Sequence, residues 1–291
     1  MDGKICIVTG ANSGIGKATA AGLAQRGATV VMVCRDQKRG AAARDDIMSA
    51  SGNTSVDLLV ADLSSQQSIR QLAGEFKRTY QQLHVLVNNA GVFHSQRSVT
   101  VDGLEYVFAL NHLAHFLLTS LLLDMLTASA PSRIVNLTSG AERAGKIDFD
   151  DLQGEQRFKG TRAYSQSKLA NVLFTYELAR RLKGTQVTAN ALDPGGVATH
   201  LGRNNGLFAW AKHLLFYALK GQLLSPRQGA DTVVYLASSA EVAGVSGKFF
   251  YQRRPTKSSA ASYDESASDR LWEMSLKLTH LDFDPSRPRM P

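Results

Sequence analysis

Short apolar runs rich in β-branched residues alternate with helical stretches along most of this chain, and that rhythm leaves few folds open to it. The runs fall at 4–9 (KICIVT), 28–34 (ATVVMVC), 56–60, 83–87, 133–137, 187–192 and, short and last, 247–251. Helical patterns fill 15–26, 37–50, 66–80, 101–126 (one or two helices), 163–182 and 228–238. Apolar runs regularly separated by helices predict a parallel sheet buried on both faces. Right-handed crossovers make it one doubly wound, Rossmann-like α/β sheet of about seven strands. Ligands of such sheets bind outside the carboxyl ends of the strands. Chemistry is therefore expected just after each run.

The 291 residues are 44% hydrophobic and 20% charged, enough apolar material for a single large domain spanning 1–291. The formal charge is +8, but the basic residues are scattered. Nucleic-acid binders cluster them, so nucleic acid is not an expected partner. Cys6 and Cys34 lie in apolar runs and read as reduced core thiols, and no metal-ligand spacing is present. The N-terminus enters a strand pattern at once, and no apolar run reaches the ~18 residues that span a bilayer. The expected location is cytoplasmic. Two stretches break the rhythm: the polar segment 140–161, and an excursion at 196–226 containing the apolar, aromatic 207–224. Phe208, Trp210, Phe216 and Tyr217 leave three roles open for 207–224: a lid over substrate, a peripheral membrane contact or a subunit contact. The tail from about 283 reads as flexible.

Thr9-Gly10-Ala11-Asn12-Ser13-Gly14-Ile15-Gly16 joins the first strand to the first helix. Glycines there let backbone approach a pyrophosphate, and the N–H groups of a helix start favour anions. Gly10, Asn12, Ser13, Gly14, Ile15 and Gly16 are the candidate contacts. At the end of the second strand an acidic residue would bind the ribose 2′-hydroxyl of NAD. The chain has Cys34 and then Arg35. A guanidinium matches a phosphate in charge and geometry, so NADP(H) rather than NAD(H) is expected. The alternative is a solvent arginine paired with Asp36. Asp62, followed by Leu63, ends the third strand and is placed to meet adenine. Asn89, Ala90 and Gly91 follow the fourth strand, where small residues let the backbone pass the adenosine ribose.

Tyr164 and Lys168 stand at i and i+4, on one face of the long helix. A phenol has a pKa of about 10. A neighbouring ammonium and a cationic nicotinamide lower it, so that Tyr164 can exchange a proton with an alcohol or carbonyl. Ser139 ends the fifth strand, and its hydroxyl can reach the reacting oxygen; Thr138 is the structural alternative. Asp193-Pro194-Gly195-Gly196 ends the sixth strand beside the expected nicotinamide, followed by Val197 and Thr199.

Together TGANSGIG, NNAG, the strand-end serine, YSQSK and DPGGVAT resemble the short-chain dehydrogenase/reductases, over about 3–251. GANSGIGKATA, VCRD, YSQSKLANVLFTYELARRLKG and the late SGKFF…RLWEMS look like the retinol dehydrogenase-like branch. The resemblance implies a catalytic tetrad of Asn111, Ser139, Tyr164 and Lys168. It places Asn111 in a helical distortion whose main chain holds a water linking the lysine to solvent. It also implies cofactor contacts at Arg35, Asp62, Leu63, Asn89, Ala90, Gly91, Tyr164, Lys168, Pro194, Gly195, Val197 and Thr199. Ser139 and Tyr164 would hold substrate. That branch is typically NADP(H)-linked and acts on retinoids, lipid aldehydes or other apolar carbonyls. The chain departs from many members in lacking an N-terminal membrane segment and in carrying Asp193 where histidine is common. The implied activity is alcohol–carbonyl interconversion. Rival readings are a reductase of steroids, quinones or compact ketones, and a non-catalytic NADP(H) sensor. A dimer or tetramer is implied by the resemblance alone.

Overall fold

A computed structural model of the protein describes residues 1–199, 201 and 223–281. The strands are β1 (Ile5–Thr9), β2 (Thr29–Cys34), β3 (Val56–Val60), β4 (Val85–Asn88), β5 (Ser132–Leu137), β6 (Val187–Asp193), β7 (Phe249–Tyr251) and β8 (Arg254–Thr256). They form one sheet in the order β3-β2-β1-β4-β5-β6-β7-β8. All neighbours are parallel except β7 and β8. The order reverses beside β1, between it and β4, which opens a crevice at the carboxyl ends of the strands.

The central strands are buried throughout, as their unbroken apolar runs require. On one face pack α3 (Gln66–Thr79), α5 (Ala114–Ala128) and α6 (Gly160–Arg181), with Ile7, Val31, Leu86 and Ile134 against Phe76, Phe116, Leu117 and Phe174. On the other pack α1 (Gly14–Ala24), α2 (Gln37–Ser51) and α7 (Pro226–Ser238), with Cys6, Val8, Val30 and Met32 against Leu23, Ile47, Val233 and Leu236. Cys6 and Cys34 are buried free thiols.

The structure departs from the sequence-based expectation in three places. An eighth strand follows β7 through a tight turn in which Gln252 and Arg253 both have positive φ, 49° and 62°. Such turns usually announce themselves with Asn-Gly or Asp-Gly, and neither is present. The helical stretch expected at 101–126 starts later, because Gly103 takes a left-handed φ of 75° and Glu105 caps the first helical turn. It runs as a single turn, α4 (Tyr106–Phe108), a π-helical turn (Ala109–Leu113) and then α5. A further helix, α8 (Glu265–Leu278), begins at the capping carboxylate of Asp264 and buries Leu271, Trp272 and Ser275. Contrary to the sequence-based expectation that no apolar stretch reaches spanning length, residues 106–128 are long and apolar enough to cross a bilayer, but the most apolar 18-residue window within them is 83% buried, so it forms core. Most of the excursion at 196–226, including 207–222, and the tail from 283 lie outside the described residues.

Candidate active site

β1 delivers Thr9 to the rim of the crevice, and the chain then turns through Gly10 and Gly14, at φ of 65° and 55°. A Cβ on Gly16 would overlap the Gly10 carbonyl oxygen and lie 2.5 Å from Asn89 Nδ2, so only glycine closes this loop. The Thr9 hydroxyl accepts the Asn89 and Ala90 N–H groups at 2.9 and 3.0 Å, and Asn89 Nδ2 donates to the Thr9 carbonyl at 2.6 Å. These bonds lock the β4 loop to the β1 loop. Ser13, the residue before α1, makes no side-chain capping bond, whereas Asp36, Ser65 and Ser225 cap α2, α3 and α7. No acidic residue sits in the first turn of α1. A bare helix start beneath a glycine turn is the chemistry a pyrophosphate needs, and the residues present fit a dinucleotide. The Pro194–Thr199 loop closes on it from β6. The Thr199 methyl is 3.2 Å from where a Gly14 Cβ would stand, and Val197 packs over Gly229 of α7.

On the adenosine side, Asp62 Oδ1 accepts the Ser64 N–H and hydroxyl at 2.9 and 2.7 Å. The Leu63 side chain is in the core, so this residue offers a ligand its main chain only. Arg35 is exposed. The Asp36 carboxylate caps α2 by accepting the Arg39 N–H at 2.9 Å, and does not pair with Arg35. Arg35 instead donates to the Tyr106 hydroxyl at 3.2 Å. Among the described residues, no carboxylate lies within 4.0 Å of the Arg35 guanidinium.

The four residues of the implied tetrad lie on elements that meet at the carboxyl end of β5. Lys168 Nζ sits 5.5 Å from the centre of the Tyr164 ring. A Cβ added to Gly91 would be 3.4 Å from both Lys168 Nζ and Asn111 Oδ1, so the amine and the amide flank the same glycine. Asn111 lies within the π-helical turn, the distortion the resemblance implies. Its side chain spans the Val92 peptide, accepting the N–H at 2.7 Å and donating to the carbonyl at 3.0 Å, and also donates to Ser167 Oγ at 3.0 Å. The Thr138 hydroxyl is buried and donates to the Lys168 carbonyl at 2.8 Å. Ser139, half-buried just past the strand end, caps a short 3-10 turn by accepting the Ala141 N–H at 3.2 Å.

Burial pulls the Lys168 ammonium down to about 8, with Asp193 opposing the shift. Asp193 is itself pushed up by burial, while the Gly195 and Gly140 N–H groups hold its charge. The lysine thus sits close enough to neutrality to exchange protons.

Three neighbours are not evident from the sequence. Phe93 meets the Tyr164 ring edge-on, with centroids 5.8 Å apart. Tyr106 holds Arg35. Asn171 donates to the Asn111 main-chain carbonyl at 2.8 Å and lies 3.2 Å from His112 Nδ1. Asn171 stands three residues after Lys168, on the same helical face, so its spacing was the available signal. His112 and His115 are buried in hydrogen-bonded core positions, facing Asn171 and Ser275, and the Ala90 carbonyl, respectively. A groove lined by Arg180, Lys183 and Thr188 lies at the opposite end of β6 and contains none of these groups.

The family model for short chain dehydrogenases matches residues 4–208. The chain is 46% identical over 288 residues to retinol dehydrogenase 13 of Homo sapiens, covering 97% of this chain and 86% of that one. It is 45% identical over 285 residues to retinol dehydrogenase 14 of Mus musculus, covering 94% and 85%. Among solved structures, an uncharacterized protein from Mycobacterium paratuberculosis superposes with a TM-score of 0.78 at 34% identity, covering 97% of this chain and 96% of that one. The Pseudomonas aeruginosa RhlG/NADP active-site complex superposes with a TM-score of 0.70 at 29% identity, covering 86% and 94%. The chain therefore belongs to the short-chain dehydrogenase family, in its retinol dehydrogenase-like branch, and is an oxidoreductase of the alcohol–carbonyl class.

Proposed function

We propose that the protein is an NADP(H)-dependent enzyme that interconverts an apolar aldehyde or ketone, retinoid-like or lipid-derived, with its alcohol. The observation that carries the chemistry is the buried Lys168 amine beside the Tyr164 ring, next to Gly91 on the cofactor side of the crevice. A nicotinamide dinucleotide, when bound, supplies hydride to the carbonyl carbon or takes it from the alcohol. Tyr164 gives its proton to the reacting oxygen in reduction and removes it in oxidation. Ser139 donates a hydrogen bond to the same oxygen and fixes its place. The Lys168 ammonium favours the phenolate and returns a proton to Tyr164 along a path that begins beside Asn111.

The dinucleotide would rest on Gly10, Asn12, Ser13, Gly14, Ile15 and Gly16, with Asp62, Leu63, Asn89, Ala90, Gly91, Pro194, Gly195, Val197 and Thr199 along its length. Preference for NADP(H) is supported by Arg35, an exposed guanidinium without a carboxylate partner among the described residues. The apolar substrate class is supported by the names of the relatives and by the aromatic excursion at 207–224. A cytoplasmic location with peripheral membrane contact is part of the same reading.

The test is a cofactor-oxidation screen of retinaldehyde, medium-chain aldehydes, steroids and quinones, with NADPH and NADH in parallel. Turnover of retinaldehyde or the aldehydes with NADPH, and much less with NADH, is expected. Turnover confined to steroids or quinones would overturn the substrate class. Equal use of NADH would overturn the cofactor preference.

A further inference from the structure

A guanidinium at a strand end can be neutralised by a neighbouring carboxylate. Arg35 instead sits at the carboxyl end of β2 with its nearest acid, Asp36, already engaged as the cap of α2. The guanidinium is held by a neutral phenol from 71 positions away, the Tyr106 hydroxyl at 3.2 Å. Tyr106 is firmly placed. Its ring stacks on His94 with centroids 4.8 Å apart and planes 8° from parallel, and its N–H donates to the Ser98 carbonyl at 2.9 Å. His94 Nδ1 in turn lies 3.2 Å from the Ser98 hydroxyl. A phenol that accepts from an arginine restrains it without neutralising it, and keeps its own proton for a second acceptor. The pair therefore presents a positive charge and a hydroxyl donor side by side at the strand end.

We propose that Tyr106 is a positioning residue for recognition of the phosphomonoester on the adenosine ribose. It holds the Arg35 guanidinium toward that phosphate and adds its own O–H as a further donor. The proposal rests on the reading of Arg35 as the NADP(H)-selecting residue. It adds that selectivity is shared between the end of β2 and the start of α4, two segments far apart in the sequence. The fixed ring also lowers what Arg35 must lose in rotamer freedom when the phosphate arrives.

The experiment is isothermal titration of the full chain with NADPH and NADH, for the wild type, Tyr106→Phe and Arg35→Ala. Tyr106→Phe keeps the ring on His94 and removes only the hydroxyl. It should weaken NADPH about tenfold or more, the effect of losing one hydrogen bond to a charged partner, and leave the NADH dissociation constant within about twofold of the wild type. Arg35→Ala should weaken NADPH more strongly, again with little effect on NADH. If Arg35→Ala discriminates and Tyr106→Phe binds NADPH like the wild type, the role of Tyr106 is refuted while the reading of Arg35 stands. If Tyr106→Phe weakens both cofactors equally, its role is general support of the loop and the proposal is refuted. If Arg35→Ala weakens both equally, the NADP(H) reading falls and the proposal falls with it.

Discussion

Lys168 is 4% exposed, and a buried ammonium costs folding free energy unless something compensates it. Burial brings it from 10.5 to about 8, with the charge of Asp193 opposing. Below pH 8 the amine is charged in both the folded and unfolded chain, and the fold bears the whole cost, about 3 kcal/mol. Between about 8 and 10.5 the unfolded chain holds the extra proton, so stability rises with pH across that window. Lys168→Met should therefore raise the melting temperature at pH 7 by roughly 5 °C while abolishing turnover. Scanning calorimetry without cofactor checks this, and a lowered melting temperature would contradict it. At this scale the sequence was informative where spacing carries chemistry: Tyr164 and Lys168 at i and i+4, and glycines between a strand and a helix. It was silent where partners come from distant segments. Nothing local to Arg35 announces Tyr106, whereas alternation and the neighbouring Gly140 already favoured Ser139 over Thr138, whose hydroxyl is taken up by the Lys168 carbonyl.

The π-helical turn and α5 pack two histidines against α6. Burial pulls His112 down to about 4 and His115 to about 3, so both are neutral near pH 7. The unfolded chain binds their protons near pH 6.5, so the folded state loses stability as pH falls through that value toward 4. By pH 5 the loss should reach about 2 kcal/mol for each histidine. Urea unfolding at pH 7 and pH 5 measures it, and His115→Gln should shrink the difference between the two. Equal stability of the wild type at both values would contradict the assignment. The elements themselves were legible wherever a buried strand or long helix imposes its period. The π-helical turn was not legible from periodicity, because residues 107–119 are buried without a break and carry no apolar phase for an extra residue to shift; only the family resemblance pointed to it. The β7–β8 hairpin was missed because Gln252 and Arg253 take conformations that favour other residue types. Helix α8 was missed although Asp264, Glu265 and Lys277 mark its ends, because its buried stripe is narrow.

Across the whole molecule, α8 seals one face of the fold. Trp272 is 2% exposed, packs against Phe116 and Phe174 with centroids 5.0 and 6.0 Å away, and lies under the Arg181 guanidinium. Trp272→Ala should cost about 3–5 kcal/mol in urea unfolding; a loss below about 1 kcal/mol would mean that α8 is not part of the cooperative core. The doubly wound order was readable because buried parallel strands must be apolar throughout and must be joined by helices. The same topology carries Gly16, Gly91, Ser139, Tyr164 and Gly195 to one rim, although they are scattered over most of the chain. The convergence of a phenol and an amine at that rim is the claim on which the functional reading stands. Its most direct test is Tyr164→Phe, assayed with the best substrate from the screen and titrated with NADPH. The account predicts that kcat falls at least about a hundredfold while the dissociation constant for NADPH changes by less than about twofold. A variant that turns over at the wild-type rate would show that the proton is handled elsewhere.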